Sequence, residues 1–270
     1  MKIGLIAGAG ELPIVFAKTA KEKGEEVFIL GIHGITDESI SDYGEIHWVN
    51  FGKLGEVLRI LKENNVKKLV MLGKIEHQLL LQSITELDTR ALMFLSKLPD
   101  QRAESILGGL IKELEEEGFE FIDPTPYLGS LLAEEGLIND IEPTENQIED
   151  AKFGLKIAKV IADLDVGQTV VVKNKIVVAV EALEGTDKCI LRAGELAGEG
   201  TVVCKVARKH QDFRFDVPVV GLKTLESMKQ SGAKFLAIEA GKTYILNRDE
   251  FIEKANQYDI SVVGFDLSKI

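Results

Sequence analysis

The first half of the chain alternates short apolar runs with amphipathic stretches. Apolar runs bounded by polar or glycine residues predict buried strands, and apolar positions at 3.6-residue spacing predict helices. The predicted strands are Ile3–Ala7, Glu26–Leu30, Ile46–Val49, Lys67–Leu72 and Phe119–Ile122, and the predicted helices are Leu12–Lys23, Lys53–Asn64 and Ala103–Glu117. This alternation is typical of βαβ units, so an α/β fold with a Rossmann-like parallel sheet is predicted over residues 1–140.

The second half of the chain has a different pattern. Two β-branched runs flank Lys173-Asn174, which predicts a hairpin. Further strands are predicted at Thr201–Val206, Phe235–Ile238, Thr243–Leu246 and Ile260–Gly264, and helices at Asp187–Leu196, Thr224–Ser231 and Arg248–Tyr258. A hairpin mixed with helices indicates an α+β domain with a mixed sheet over residues 141–270. Ahead of its first helix, Thr144 and Gln147 have the spacing of a capping box.

Length and charge narrow the function classes. The 270 residues suit two domains at roughly 150 residues each. With 32 Lys and Arg against 44 Asp and Glu the net charge is −12, so nucleic acid is not expected as a partner. Cys189 and Cys204, the only cysteines, are too few for a disulfide framework and lack the CxxC spacing of a zinc site. We find no signal peptide and no apolar run near the ~18 residues of a membrane span, so a cytoplasmic location is expected.

Glycines follow the first predicted strand in Gly8-Ala9-Gly10. Such a loop lets backbone N–H groups approach a phosphate at the positive end of the next helix. Proline replaces the third glycine of the dinucleotide fingerprint at Pro13, so NAD is disfavoured. A tight turn that needs glycine for steric reasons is the alternative. Lys74 follows the fourth strand at the same predicted sheet edge and is a second phosphate candidate. Nearby His77 is interpreted as a surface or satisfied histidine rather than a catalyst, because it has no partner at ligand spacing.

The most polar segment lies at 205–218, where basic and acidic side chains interleave. In an extended chain Asp212, Arg214 and Asp216 share one face, because the side-chain period of a strand is two. Carboxylates bind hard cations, and lysine or arginine binds phosphoryl oxygens, so this pattern favours a site for a divalent metal and a diphosphate. An exposed edge strand with salt-bridged charges is the alternative.

Two shorter stretches place polar residues beside a glycine. Residues 181–187 leave a strand and enter a helix, which either Thr186 or Asp187 could cap. Glu239 and Lys242 flank a glycine turn, which is a less specific signal.

In this order the stretches resemble the two-domain bacterial family of UDP-2,3-diacylglucosamine pyrophosphatases, which is unrelated to the metallophosphoesterase that catalyses the same step in other bacteria. The stretches that carry the resemblance are Ile6–Pro13, Gly73–Ile75, Leu164–Gln168, Glu184–Asp187, Gln211–Pro218 and Glu239–Thr243. The resemblance implies hydrolysis of UDP-2,3-diacylglucosamine to UMP and 2,3-diacylglucosamine 1-phosphate during lipid A synthesis. It also implies Mg²⁺ as the cofactor, with Mn²⁺ as an alternative, and an essential Asp216.

These expectations give each residue type a role. Catalysis is expected of Asp216, Asp187, Gln211, Asp212 and Arg214, with Asp216 and Asp187 as metal ligands. Substrate binding is expected of Gly8, Ala9, Gly10, Lys74, Thr186, Lys205 and Glu239. A UDP-lipid substrate further implies transient contact with the inner-membrane surface, and a homo-oligomer is left open. Two alternatives remain: a non-catalytic nucleotide-sugar sensor, and a pyrophosphatase for another nucleotide diphosphate.

Overall fold

The part of the chain that the structure describes falls into two units. The structure is a computed structural model that describes residues 1–74, 87–100, 103–209 and 217–270. One unit comprises the described residues up to Gly129, and the other begins at Ser130. The boundary predicted at 140/141 lies later in the chain than this division. The reason is that residues 133–138 already bond to the second unit, where Ala133 N donates to Thr243 O at 2.8 Å.

The first unit is built on a five-stranded parallel sheet. Its strands are β1 (Lys2–Ala7), β2 (Glu26–Ile32), β3 (Glu45–Val49), β4 (Lys68–Leu72) and β5 (Glu120–Phe121), in the order β3-β2-β1-β4-β5. The helices are α1 (Leu12–Glu22), α2 (Leu54–Glu63), α3 (Thr89–Ser96), α4 (Ala103–Glu116) and the short α5 (Thr125–Leu128). The parallel-sheet fold predicted for this half of the chain is confirmed.

The central strand β1 positions the glycine loop. Ile3, Leu5 and Ala7 are fully buried, which places β1 in the middle of the core. The strand order reverses beside β1, because β2 lies on one side of it and β4 on the other. Open α/β sheets bind ligands at such a switch point, outside the carboxyl ends of the strands. The loops that follow β1 and β4 both lie at this edge.

The second unit contains a six-stranded mixed sheet and a two-stranded sheet. The larger sheet has the order β6 (Gly136–Leu137), β13 (Ser261–Phe265), β11 (Phe235–Glu239), β9 (Val202–Lys205), β7 (Thr169–Lys173) and β8 (Ile176–Val180). In it β13, β11 and β9 run parallel, whereas β6, β7 and β8 pair antiparallel. The smaller sheet pairs β10 (Val219–Val220) with β12 (Tyr244–Ile245). The mixed sheet predicted for this half is confirmed.

The helices and turns of the second unit follow local sequence signals. The helices are α6 (Glu145–Asp163), α7 (Thr186–Ala197), α8 (Leu222–Ser231) and α9 (Arg248–Gln257). The predicted capping box at the start of α6 is present, since Thr144 N donates to Gln147 Oε1 at 2.8 Å and Gln147 N donates back to Thr144 Oγ1. The predicted β7–β8 hairpin forms, with its left-handed turn residues at Asn174 and Lys175. Among the described residues, no helix combines the length and apolar character needed to cross a bilayer.

Candidate functional site

The glycine loop after β1 is closed by a short backbone bridge. Ala9 N donates to Lys74 O at 2.8 Å, and Lys74 N donates to Ala9 O at 2.9 Å. Gly8 N donates to Leu72 O at 2.8 Å. The amides of Gly8 and Ala9 therefore join this loop to the one after β4. Gly10, in the left-handed region, and the exposed side chain of Lys74 lie at the same edge.

Glycine is required for steric reasons at positions 8 and 73. A Cβ on Gly8 would lie 2.8 Å from Lys74 O and 2.9 Å from the carbonyl carbon of Gly73. Gly73 has a φ of 98°, and a Cβ there would lie 2.7 Å from the carbonyl carbon of Gly8. The steric alternative considered for the glycine loop thus explains Gly8. The N–H groups of Gly8 and Ala9, which were expected to approach a phosphate, donate instead to Leu72 O and Lys74 O. Substrate binding by other atoms of Gly8 and Ala9, and by Gly10 and Lys74, stays a prediction.

Substitution of Gly8 by alanine is expected to destabilise the first unit by about 2 kcal/mol, because backbone rather than flexible side chain must move. Trp48, the only tryptophan of the sequence, lies on β3, so its fluorescence during urea unfolding reports this unit. Gly108→Ala is the matched control, because Gly108 lies within a helix and has open space around it. Apart from the backbone of its own helix, no described heavy atom lies within 4 Å of a Cβ added at this position. We expect that control to stabilise the unit by about 0.5–1 kcal/mol. Equal unfolding midpoints for the two variants would contradict the steric interpretation.

A buried lysine stands at the carboxyl end of β9. Lys205 is 7% exposed, and its Nζ donates to Thr186 Oγ1 at 2.8 Å. Thr186 Oγ1 in turn donates to Glu181 Oε1 at 3.0 Å. The hydroxyl of Thr169 lies 3.4 Å from that of Thr186. Two residues expected to bind substrate, Thr186 and Lys205, are therefore in direct contact.

Neither Thr186 nor Asp187 caps α7, although the sequence suggested one of the two. Gly185 is the residue that precedes the helix, and Thr186 and Asp187 lie within its first turn, where no side chain caps the backbone. Thr186 instead contacts Glu181 and Lys205. The half-buried Asp187 forms an ion pair with Lys223 at 3.3 Å. The carboxylate of Asp187 is thus placed against a lysine.

The described residues hold no complete metal site. Within the ranges that the structure covers, no group of three or more His, Cys, Asp or Glu side chains could hold a metal ion. Gln211, Asp212, Arg214 and Asp216 lie outside the described residues, as does His77. The expected role of Asp187 as a metal ligand therefore stays a prediction, and no catalytic step is derived through a metal.

The loop that leads from β9 towards residue 210 is anchored by Glu239. This carboxylate, 4% exposed at the end of β11, accepts from Ala207 N at 2.9 Å. It also forms ion pairs with Lys159 at 3.2 Å and Lys242 at 2.9 Å. Lys159 Nζ donates to Ala207 O at 2.6 Å as well. The structure thus gives Glu239 a role in holding this loop, whereas its expected contact with substrate stays a prediction.

Two aspartates at and just after the end of α6 hold the next residues of the same loop. Asp165 forms an ion pair with Arg208 at 2.7 Å, and Asp163 Oδ1 accepts from Lys209 N at 2.6 Å. On the other side of the segment 210–216, Tyr244 N donates to Pro218 O at 2.9 Å. Both described flanks of that segment are therefore fixed to the second unit.

Neither cysteine is suited to nucleophilic catalysis. Burial, together with the nearby charge of Glu181, raises the pKa of the Cys189 thiol to about 12. Burial likewise raises the pKa of Cys204. Both groups are protonated at neutral pH, so neither offers the thiolate that attacks a phosphorus or a carbonyl.

Sequence reasoning assigned no role to Glu181 and Lys159. Glu181 was visible as the first residue of a polar stretch after a strand, but its spacing from Thr186 fits no local motif. Lys159 lies on α6, 80 positions before Glu239, so no local pattern pairs the two. The stretch Leu164–Gln168 offered an indirect signal, since it belongs to the resemblance and contains Asp165.

Comparison with known proteins gives matches over both units. A family model described as the LpxI N-terminal domain matches residues 2–131, and one described as the LpxI C-terminal domain matches residues 134–263. The UDP-2,3-diacylglucosamine pyrophosphatase LpxI of Caulobacter vibrioides is 28% identical over 276 residues, which cover 98% of each chain.

Solved structures give only weak likenesses. Leucoanthocyanidin reductase from Vitis vinifera matches 55% of this chain and 38% of its own at 13% identity and a TM-score of 0.28. N5-carboxyaminoimidazole ribonucleotide synthetase from Thermotoga maritima matches 67% of this chain and 40% of its own at 16% identity and a TM-score of 0.27. This chain spans less than half the length of either protein, and scores at this level support no inference.

Proposed function

Because this chain belongs to the LpxI family, we propose that it hydrolyses UDP-2,3-diacylglucosamine in lipid A biosynthesis. In this reaction water cleaves the phosphoric anhydride, and the products are UMP and 2,3-diacylglucosamine 1-phosphate. The enzyme is then a pyrophosphatase, which is a hydrolase. The diphosphate that it cleaves is negatively charged.

The buried Lys205 is the observation that supports this proposal most directly. Phosphoryl transfer depends mainly on positioning and on neutralisation of charge at the phosphoryl oxygens. An ammonium held at a fixed position by Thr186 can supply a neutralising positive charge to such oxygens. Lys205 stands at the carboxyl end of β9, five residues before the segment that holds Gln211, Asp212, Arg214 and Asp216. We assign Lys205 and Arg214 to the oxygens of the diphosphate.

Dependence on a divalent cation is part of the proposal. The alternating carboxylates at 212 and 216 are the donors that Mg²⁺ prefers, and Mn²⁺ is the alternative. Asp216 is assigned to the metal or to orienting the attacking water, with Asp187 and Asp212 as further ligands. Treatment with EDTA should stop UMP release, and added Mg²⁺ should restore it.

The test of function is UMP release from UDP-2,3-diacylglucosamine, measured beside deacylated UDP-glucosamine under the same conditions. We expect turnover of the acylated substrate and little of the deacylated one. Equal turnover would favour a pyrophosphatase for another nucleotide diphosphate. Binding of uridine nucleotides without any turnover would favour a sensor.

Two finer predictions concern partners. A substrate with two acyl chains implies transient contact with the inner face of the inner membrane, for a protein located in the cytoplasm. Co-sedimentation with vesicles that carry the substrate is expected to exceed that with vesicles that lack it. A homo-oligomer is the second, and sedimentation velocity across a concentration series tests it.

A further inference from the structure

We infer that Glu181 is a positioning residue for Lys205 and acts through the hydroxyl of Thr186. The three side chains come from different elements: Glu181 follows β8, Thr186 begins α7, and Lys205 ends β9. They form a continuous hydrogen-bonded chain, Lys205 Nζ to Thr186 Oγ1 at 2.8 Å and Thr186 Oγ1 to Glu181 Oε1 at 3.0 Å. We call this chain the Glu181–Thr186–Lys205 triad.

The direction of each hydrogen bond in the triad follows from the chemistry of its members. A threonine hydroxyl has one hydrogen to donate, an ionised carboxylate can only accept, and an ammonium can only donate. Thr186 must therefore donate to Glu181 and accept from Lys205. The Thr169 hydroxyl, 3.4 Å away, is then left to donate to Thr186. No other direction of the Thr186 hydrogen allows both bonds of the triad.

Glu181 is itself held in place by backbone contacts. Its second oxygen, Oε2, accepts from Gln168 N at 3.2 Å. Its own amide donates to Thr169 O at 2.9 Å. Gly167 packs so closely that an added Cβ would lie 2.2 Å from Glu181 O. The carboxylate of Glu181 is thus held in place as an acceptor. Its position fixes the direction in which the hydroxyl hydrogen of Thr186 points.

The consequence for Lys205 is a defined orientation. One of the three ammonium hydrogens is committed to Thr186 Oγ1, which sets the directions of the other two. The function of this orientation rests on the proposed role of Lys205 at the diphosphate.

Substitutions at Thr186 test the triad. Thr186→Val keeps the shape and removes the hydroxyl, and we expect about a tenfold loss of both kcat/KM and UDP affinity. Thr186→Ser keeps the hydroxyl and should stay within about twofold of the wild type. UDP binding by calorimetry and UMP release from UDP-2,3-diacylglucosamine are both measured, with thermal unfolding recorded for each variant. A Thr186→Ser variant as impaired as Thr186→Val would overturn the inference.

Glu181→Gln tests the carboxylate, and Glu184→Gln is its matched control. Both remove one negative charge from the same turn, but Glu184 bonds to Arg192 and Ala182 N rather than to Thr186. We expect about a fivefold loss of kcat/KM for Glu181→Gln and none beyond twofold for Glu184→Gln. In a Thr186→Val background the Glu181→Gln loss should disappear, because the two residues act through one chain. Additive losses would refute the triad.

The two readouts separate this inference from the proposed function. If the wild type binds UDP in a manner that depends on the triad but releases no UMP, the proposed function is wrong and the positioning role stands. If the wild type releases UMP but the variants lose activity additively, the function stands and the positioning role is wrong. If the wild type neither binds UDP nor turns over, both are overturned.

Discussion

Replacement of Asp216 by alanine is expected to lower the rate of UMP release by about 10³-fold, equivalent to about 4 kcal/mol of transition-state stabilisation. The expectation follows from the family resemblance and from the residue types at 212–216, where carboxylates alternate with Arg214. A carboxylate that binds a metal or orients the attacking water acts on the transition state, so kcat should fall more than KM rises. The measurement is steady-state UMP release at saturating Mg²⁺.

A surface carboxylate serves as the control for this substitution. Asp249, exposed in the first turn of α9, is replaced by alanine in parallel and should leave turnover unchanged. Circular dichroism and thermal unfolding should give near-native curves for both variants. Turnover of Asp216→Ala within tenfold of the wild type would remove this residue from the catalytic assignment.

Replacement of Glu239 by alanine is expected to destabilise the second unit by about 3 kcal/mol. The carboxylate pairs with two partly exposed lysines, Lys159 and Lys242, and accepts from the buried Ala207 N, so its loss leaves one buried amide and two cations without this partner. For a unit of this size the loss corresponds to a fall in Tm of about 10 °C. Thermal unfolding followed by circular dichroism measures the shift.

The control is a carboxylate whose ion pair is exposed. Glu134 is 79% exposed and pairs with Arg248 at 3.2 Å, so Glu134→Ala should change stability by less than about 0.5 kcal/mol. A Tm of Glu239→Ala within about 2 °C of the Tm of Glu134→Ala would show that the contacts of Glu239 contribute little to stability. Because Ala207 leads towards residue 210, we also expect reduced turnover of Glu239→Ala below its unfolding temperature.

The fold could be predicted from the sequence because its signals are local. Helical spacing in α6, the capping box at Thr144 and the β-branched runs of β7 and β8 each act over a few residues. The register of the strands in each sheet depends on partners that are distant in the sequence. The same is true of the unit to which residues 130–140 belong. The pairing of β6 with β13, which attaches this stretch to the second unit, joins residues more than a hundred positions apart.

The site could be predicted only in part, for the same physical reason. Thr186 and Lys205 were selected from the sequence, and the structure brings them into contact. The pattern around Glu239 could not distinguish a carboxylate that faces substrate from one that faces the protein. Its partner Ala207 N is 32 positions away, so the distinction required the fold. The inferred role of Glu181 has no local sequence signal, because it depends on the direction of a single threonine hydrogen.

The bridge between Ala9 and Lys74 has a consequence for ligand binding at the edge of the parallel sheet. Free loops lose conformational freedom when a ligand orders them, and that loss subtracts from affinity. Here Ala9 and Lys74 are already joined by two backbone hydrogen bonds, and Gly8 lies close to Gly73. At these four positions, residues 8–9 and 73–74, a ligand that binds at this edge would therefore lose little affinity to ordering of the backbone.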